Sequence, residues 1–433
     1  DAPGSMPALL RALGPIVPYD EESLKQAARA LAFAPQRYPQ PRQLLVDVTT
    51  IVRNDLGTGI ERVVRMQLLE LLRHERSGFR VEPVYLSDQG GRRHYRYAQH
   101  YACKLLGMAP VSYSDAVLDI NPGDVFYAPD YAPSATIEAA QAGIYAEWRA
   151  RGVSLNFLIH DLLPVLNPEF FPPGSDKRHA AWLACIADNA DRLVCISAAV
   201  ANEMQAWMAA HLPQPARRPS LHVVHHGADI GQAAATPAPS AKDAALLAQL
   251  AATPSFLMVG TIEPRKGHLQ TLDAFEQLWR EGEQVKLVIV GNEGWKPLPN
   301  AERRTIPKIV ARLANHPELG KRLFWLKGID DALLQQVYQA SACLMASSEG
   351  EGFGLPLIEA AHYGLPVIAR DIPVFREVGR DSACYFSGSD AEPMAAAVRE
   401  WLAMHAAGTH PRSETMGFQS WSQNAEALLA VLK

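Results

Sequence analysis

The residue types best suited to chemistry are crowded between Ala346 and Gly379. Glu349, Glu351 and Glu359 stand there among Gly350, Gly352 and Gly354, directly after an apolar run, Ala342–Met345, that reads as a buried strand. Leu355-Pro356 opens a helix, because proline near the first helical position sacrifices no hydrogen bond. Glycines let a backbone come close to a ligand, and the free N–H groups of a helix start favour an anion. The stretch is therefore expected to take an anionic, phosphorylated ligand. Glu351 and Glu359 also invite comparison with a glycosidase pair. In a continuous helix they would lie roughly 12 Å apart in rise, beyond what either hydrolytic mechanism uses. A loop could fold the first one back, so the dyad is weakened rather than excluded. One carboxylate is expected to touch the reacting group and the other a hydroxyl-rich part of the ligand.

Two further groups point the same way. Strand Ser255–Gly260 runs into Thr261-Ile-Glu-Pro-Arg265-Lys266-Gly267. Adjacent cations at a strand exit can straddle a diphosphate, the guanidinium forking to two oxygens and the ammonium acting as a point charge. The plainer alternative is two solvated cations on a loop. The apolar run from Val153 delivers His160 and Asp161 at a strand's carboxyl end, where α/β sites are built. Near the N-terminus, strand Gln43–Thr49 leads through Gly57-Thr58-Gly59 to a helix with apolar spacing at Ile60, Val63, Val64 and Leu68. Taken alone, that pair of glycines is equally a turn chosen for backbone geometry.

Glu351 and Glu359 with Gly-Phe-Gly-Leu-Pro between them, followed by Gly364-Leu-Pro-Val-Ile368, Pro373 and Glu377-Val-Gly379, resemble the E-x7-E signature of family-four retaining glycosyltransferases. The resemblance implies an α/β GT-B fold: two Rossmann-like parallel-sheet domains facing a central cleft, with a C-terminal helix packing back on the N-terminal domain. It further implies that Glu351, Gly352 and the amides of Phe353, Gly354 and Leu355 face the sugar and phosphates, and that Glu359 holds ribose hydroxyls. Arg265 and Lys266 would stabilise the departing nucleotide. Thr261 stands where a common form of the motif has arginine, which leaves open whether Arg265 takes over that work. The backbone of Gly328 and Ile329 would meet the nucleobase. His160 would touch the donor sugar or an acceptor hydroxyl, with Asp161 beside it. Residues 53–65 resemble the Gly-rich loop of bacterial mannosyltransferases that build O-antigen or capsular polysaccharide. Gly57 and Gly59 would then approach the donor phosphate or the acceptor, with Asp55, Glu61 and Arg62 nearby.

The implied activity is retaining transfer of a hexose from a nucleotide-sugar donor to a hydroxyl of a growing, lipid-linked bacterial surface glycan. Charge building on the leaving diphosphate would be met by fixed cations and amides, so no cofactor is expected and no metal is required. GDP-mannose is the expected donor on the Gly57–Arg65 similarity alone; UDP-sugars and dTDP-rhamnose stay open. Rival readings are an epimerase or phosphorylase on the same fold and a catalytically silent glycan-binding protein. An NAD-dependent oxidoreductase is disfavoured, since no G-x-G-x-x-G follows a strand.

The elements that must position these groups suit a chain of 433 residues, too long for a single core. The expected divisions are an N-terminal extension (1–41), an N-terminal Rossmann-like acceptor domain (42–230), a linker (231–250), a C-terminal nucleotide-sugar domain (251–410) and a return helix (411–433). A net charge of −5 argues against nucleic acid as a partner. No apolar run approaches the roughly 20 residues of a membrane span. Five cysteines without a C-x-x-C read as free thiols in a reducing cytosol. Asp1-Ala-Pro-Gly-Ser5 before Met6 reads as an expression remnant with no signal peptide after it. A cytoplasmic location is expected, with peripheral contact at the inner membrane face if the basic, tyrosine-bearing stretch 70–104 docks an anionic acceptor or lipid rather than being a solvated surface. A helix is expected over Ser134–Arg151. His222, His225 and His226 lack a metal-binding spacing with nearby acids.

Overall fold

Apolar runs such as residues 256–259 and Cys343–Ala346 form the central strands, as they must where helices cover both faces of a parallel sheet. The computed structural model describes residues 22, 41–55, 59–73, 78–88, 91–109, 112, 114–212, 218–228 and 239–433. Among these the N-terminal half holds seven strands: β1 (Gln43–Asp47), β2 (Arg80–Ser87), β3 (His94–Tyr97), β4 (Val125–Ala128), β5 (Ser154–Ile159), β6 (Arg192–Cys195) and β7 (Ser220–Val223), in the order β3-β2-β1-β4-β5-β6-β7. All neighbours are parallel except β2 and β3. The C-terminal half holds six: β8 (Ser255–Val259), β9 (Lys286–Val290), β10 (Leu323–Leu326), β11 (Cys343–Ala346), β12 (Val367–Arg370) and β13 (Cys384–Phe386), in the order β10-β9-β8-β11-β12-β13. Every pairing there is parallel.

This is the expected pair of Rossmann-like sheets. The strand order reverses between β1 and β4 in one sheet and between β8 and β11 in the other, and such switch points leave a crevice at the strands' carboxyl ends.

Several expectations need correction. Ser134–Arg151 is not one helix but two, Pro133–Gln141 and Ile144–Ala150, broken where Gly143 takes φ 77°. The stretch 70–104 is not simply surface: it contributes β2, β3 and a helix, Gln99–Leu105. Tyr95 is core, with its hydroxyl donating to Asp47 at 3.0 Å and its ring edge-on to Phe126 at 5.5 Å. The second part of the expected linker is a helix, Ala241–Ala251, capped by the Ser240 hydroxyl. Residues 1–40 of the expected N-terminal extension lie, apart from Glu22, outside the described residues, as do Gly57, Thr58 and linker residues 231–238.

The chain's last helix, Trp421–Leu432, does return to the first half. Ser420 and Gln423 cap it reciprocally, and Asn424 accepts from Gln67 at 3.1 Å while donating to the His225 carbonyl at 2.6 Å. Trp421 crosses Gly227 so closely that a Cβ on that glycine would overlap the tryptophan backbone. Among the described residues no helix is long and apolar enough to cross a membrane. Leu428 is fully buried. Replacing it with alanine leaves a cavity and should lower stability by about 2–5 kcal/mol, read as a fall in the urea midpoint. A midpoint unchanged within error would mean that the return helix does not pack as described.

Candidate active site

The β8/β11 switch point is where the charged groups converge. After β8 the chain passes Thr261 and makes a 3-10 turn, Pro264–Lys266. After β11 it forms the loop 347–354. The two exits are laced together: Glu349 N donates to the Arg265 carbonyl at 2.7 Å, and the Ser347 hydroxyl donates to the Lys266 carbonyl at 2.9 Å. Gly267, at φ 73°, leaves no room for a Cβ against the Ser347 carbonyl. Gly354, at φ 92°, starts the helix Leu355–His362, with Pro356 in its first turn and amides pointing outward.

Glu351 lies between both cations. One carboxylate oxygen meets Arg265 at 2.8 Å; the other meets Lys266 and the Ser348 hydroxyl, the latter at 2.7 Å. Arg265 also donates to the Gly350 carbonyl at 3.0 Å and pairs with Glu263 at 3.2 Å. Burial alone would push the Glu351 carboxyl up, but Arg265 and Lys266 bring it down to about 2. Burial likewise opposes the charge on Arg265, yet Glu351, Glu263 and Asp161 hold its pKa above the ordinary arginine value. The cations therefore point into the crevice, at Glu351, and not into solvent.

The N-terminal half closes the opposite side. A Cβ on Gly352 would overlap the His160 carbonyl, and the Ser197 hydroxyl donates to the Gly352 carbonyl at 2.8 Å. His160 is buried with Nε2 2.8 Å from the Pro129 carbonyl. Burial lowers its pKa, so the ring is neutral, Nε2–H donates to the carbonyl, and Nδ1 is left as an acceptor. Asp161 accepts from Leu163 N at 3.0 Å. Phe353 packs between the rings of His225 and His226, each at 5.3 Å.

Glu359 and Arg62 meet across the crevice. Arg62 belongs to the helix Gly59–Arg73, which begins at Gly59, and its guanidinium reaches one Glu359 oxygen at 3.0 Å; the Tyr338 hydroxyl donates to the other at 2.7 Å. Glu61, its neighbour, is buried. Gly328 takes φ 62° after β10, and Ile329 is partly buried beside it. So the structure gathers Glu351, Arg265 and Lys266 at one point and Glu359 with Arg62 at another, while His160 and Gly352 touch through backbone.

Residues 249–415 carry the segment that binds this geometry together. They match the family model described as glycosyl transferases group 1. The chain resembles GT-B glycosyltransferases, the O-antigen mannosyltransferases among them. It is 42% identical over 391 residues to a serotype-specific mannosyltransferase WbdA of Escherichia coli, an alignment covering 90% of this chain and 44% of that protein. A second WbdA is 41% identical over 404 residues, covering 92% of this chain and 48% of the relative. The chain thus spans about half the length of the curated relatives it matches. Among solved structures, an alpha,alpha-trehalose-phosphate synthase (UDP-forming) from Burkholderia xenovorans superposes with a TM-score of 0.62 at 14% identity, covering 90% of this chain and 99% of that one. HepE from Anabaena gives 0.55 at 17% identity, covering 90% and 95%. These two share the fold.

Sequence reasoning missed several groups at the site. Ser348 and Tyr338 orient the two glutamates, but a hydroxyl one or several turns away carries no periodic signal. Glu203, on the helix Ala198–His211, is pushed up to about 7 by burial and by Asp161. Asp130, at the β4 exit, is raised to about 6 by burial and Asp47 while accepting the amides of Thr50 and Ile51 at 2.7 and 3.1 Å. Asp130 sits just past a strand, which is the signal that could have found it; Glu203 lies in the second turn of its helix, where the sequence carries no such signal. Glu377 caps Ala198 and Ala199 N at 2.7 and 2.9 Å and meets His225 at 2.7 Å.

The Glu351 pairing has a pH signature. Its folded pKa, about 2, lies below the ordinary 4.5, so the pairing stabilises fully above pH 4.5 and is lost as pH falls from there through about 2. Glu351→Gln should flatten that acid limb, and should lower stability at pH 7 by about 3 kcal/mol or more because two buried cations lose their counter-charge. An acid limb identical in both proteins would contradict the triad.

Proposed function

We propose that the chain is a retaining glycosyltransferase that moves a mannosyl group from GDP-mannose to a hydroxyl of a growing bacterial surface glycan. The single observation that carries this reading is the Arg265–Glu351–Lys266 triad beside the outward amides of the Leu355–His362 helix, at the switch point of a parallel sheet. The E. coli relatives are serotype-specific mannosyltransferases, which favours mannose.

In this reading the donor's diphosphate lies against Arg265, Lys266 and the loop amides. As the bond from C1 to the phosphate oxygen breaks, negative charge grows on the leaving group, where fixed cations and dipoles lower the barrier without reorganising. The acceptor oxygen bonds C1 from the same face, and its proton passes to a phosphate oxygen of the departing nucleotide. Glu351 faces the sugar, Glu359 takes the ribose hydroxyls, Gly328 and Ile329 border the base, and Gly57 and Gly59 approach the donor or acceptor. His160 Nδ1 accepts from a sugar or acceptor hydroxyl, and Asp161 and Glu61 border the acceptor. The charge stabilisation comes from the chain's own cations and amides, so the reading needs no resident metal or cofactor. A lipid-linked acceptor would bring the protein to the cytoplasmic face of the membrane.

Purified protein with GDP-mannose and an acceptor glycan should release GDP only when the acceptor is present, which separates transfer from epimerisation. Glu351→Ala should abolish turnover, and Arg265→Ala should slow it by roughly 100- to 1,000-fold while the protein stays folded. GDP-mannose should raise the melting temperature more than UDP- or dTDP-sugars do. Full activity in the Glu351 variant, or no stabilisation by any nucleotide sugar, would end the proposal.

A further inference from the structure

Arg62 stands on the N-terminal half, yet its guanidinium is spent on a carboxylate of the C-terminal half. Only a quarter of its side chain is exposed, and Glu359 is nearly buried. A buried carboxylate needs its charge answered, and among the described residues Arg62 is the one cation in contact with it; the other groups around it are Tyr338, Tyr363 and Asp331, none of which supplies positive charge. Burial raises the Glu359 pKa, with Arg62 and the Tyr338 hydrogen bond opposing that rise.

The geometry leaves the carboxylate half used. A carboxylate offers about four lone-pair sites. Among the described residues Arg62 occupies one on the first oxygen and Tyr338 one on the second, which leaves each oxygen a site. Two free acceptor sites on adjacent oxygens fit the two donors of a vicinal diol.

We propose that Arg62 is a positioning residue for nucleotide recognition: reaching across the cleft, it holds the Glu359 carboxylate so that both oxygens can take the hydroxyls of a ribose. This rests on the transferase reading above, in which Glu359 meets the ribose. It also makes the N-terminal half a contributor to a site that lies on the C-terminal sheet.

The test compares guanosine and uridine diphosphates with their 2′,3′-dideoxy counterparts, by calorimetric titration of the intact protein. Wild type should bind the matching ribonucleotide roughly 10- to 100-fold more tightly than its dideoxy form, as two hydrogen bonds to a charged acceptor imply. Arg62→Met should shrink that ratio to about 3-fold or less at pH 6.5, with the ratio recovering as pH rises towards 9, since an unanswered buried carboxyl ionises only at higher pH. Arg62→Lys, which keeps the charge, should fall between the two. Adding Arg62→Met to Glu359→Gln should cost nothing further in the ratio. Circular dichroism of each variant checks folding. If Arg62→Met keeps the wild-type ratio at every pH, the positioning role is wrong while the transferase reading stands. If it binds both forms more tightly, Arg62 competes with the nucleotide instead. A wild-type ratio near one removes Glu359 from the ribose, and this inference with it. Failure of wild type to bind either diphosphate brings down the donor assignment itself.

Discussion

Glu351 has 11% of its side chain exposed, and it remains charged there because two cations and a hydroxyl reach it. Removing a carboxylate from water costs several kcal/mol, and the same holds for the Arg265 and Lys266 that answer it. Removing any one of the three leaves the others partly unanswered, at a cost of about 3 kcal/mol. Their mutual requirement dictates the backbone around them: Gly267 must pass against the Ser347 carbonyl, and Glu349 N must reach the Arg265 carbonyl, for the side chains to meet. With Glu263 also on Arg265, two cations face two carboxylates, so the crevice is balanced while its donors stay fixed in direction. A polyanion entering it finds cations already oriented, which is the condition under which electrostatic stabilisation costs no reorganisation.

The two halves touch through groups of different strength. Around the crevice, besides the packing of Phe353 between His225 and His226, the contacts include single hydrogen bonds and ion pairs: Ser197 to Gly352, Glu377 to the amides of Ala198 and Ala199, Arg62 to Glu359, and Arg304 to the carbonyls of Phe171 and Pro168. Each such bond contributes about 0.5–1.5 kcal/mol net, or somewhat more when charged. At the return helix the halves share buried Trp421, Leu428 and Leu432. Apolar burial of that kind contributes about 1.5–3 kcal/mol per large side chain. The return helix, with several large apolar side chains, therefore holds the halves more firmly than these single polar contacts do.

What could be read from the chain in advance follows the same physics. Buried parallel strands such as β8, β9 and β11 are unbroken apolar runs, and the exits of β8 and β11 carry the residues that differ most from their surroundings, Arg265-Lys266 and Glu351. β2 and β3 were illegible because arginines and tyrosines on an edge hairpin look like a solvated surface until Tyr95 is seen turned inward on Phe126. The break at Gly143 left no trace because the apolar spacing continues across it on both sides. Partnerships between halves were illegible for a deeper reason. Nothing in the local pattern around Arg62 encodes a glutamate almost three hundred positions later, or a tyrosine at 338 that completes its contacts.

The sheets bring unlike chemistry to the same crevice. The C-terminal half supplies Arg265, Lys266 and the helix amides along with Glu351 and Glu359; the N-terminal half supplies Arg62, neutral His160 and the carboxyl groups of Asp130, Asp161 and Glu203, the first and last of these raised to about 6 and about 7 by poor solvation and by their neighbours. Under the proposed reading the phosphates lie against the oriented cations and amides of the C-terminal sheet, which puts the sugar towards the N-terminal one. Carboxyl and imidazole groups in poorly hydrated surroundings are suited to bind hydroxyls and unsuited to a second phosphate. Under the proposed reading that leaves the N-terminal side to an uncharged, hydroxyl-rich acceptor, which is what the non-reducing end of a neutral glycan presents.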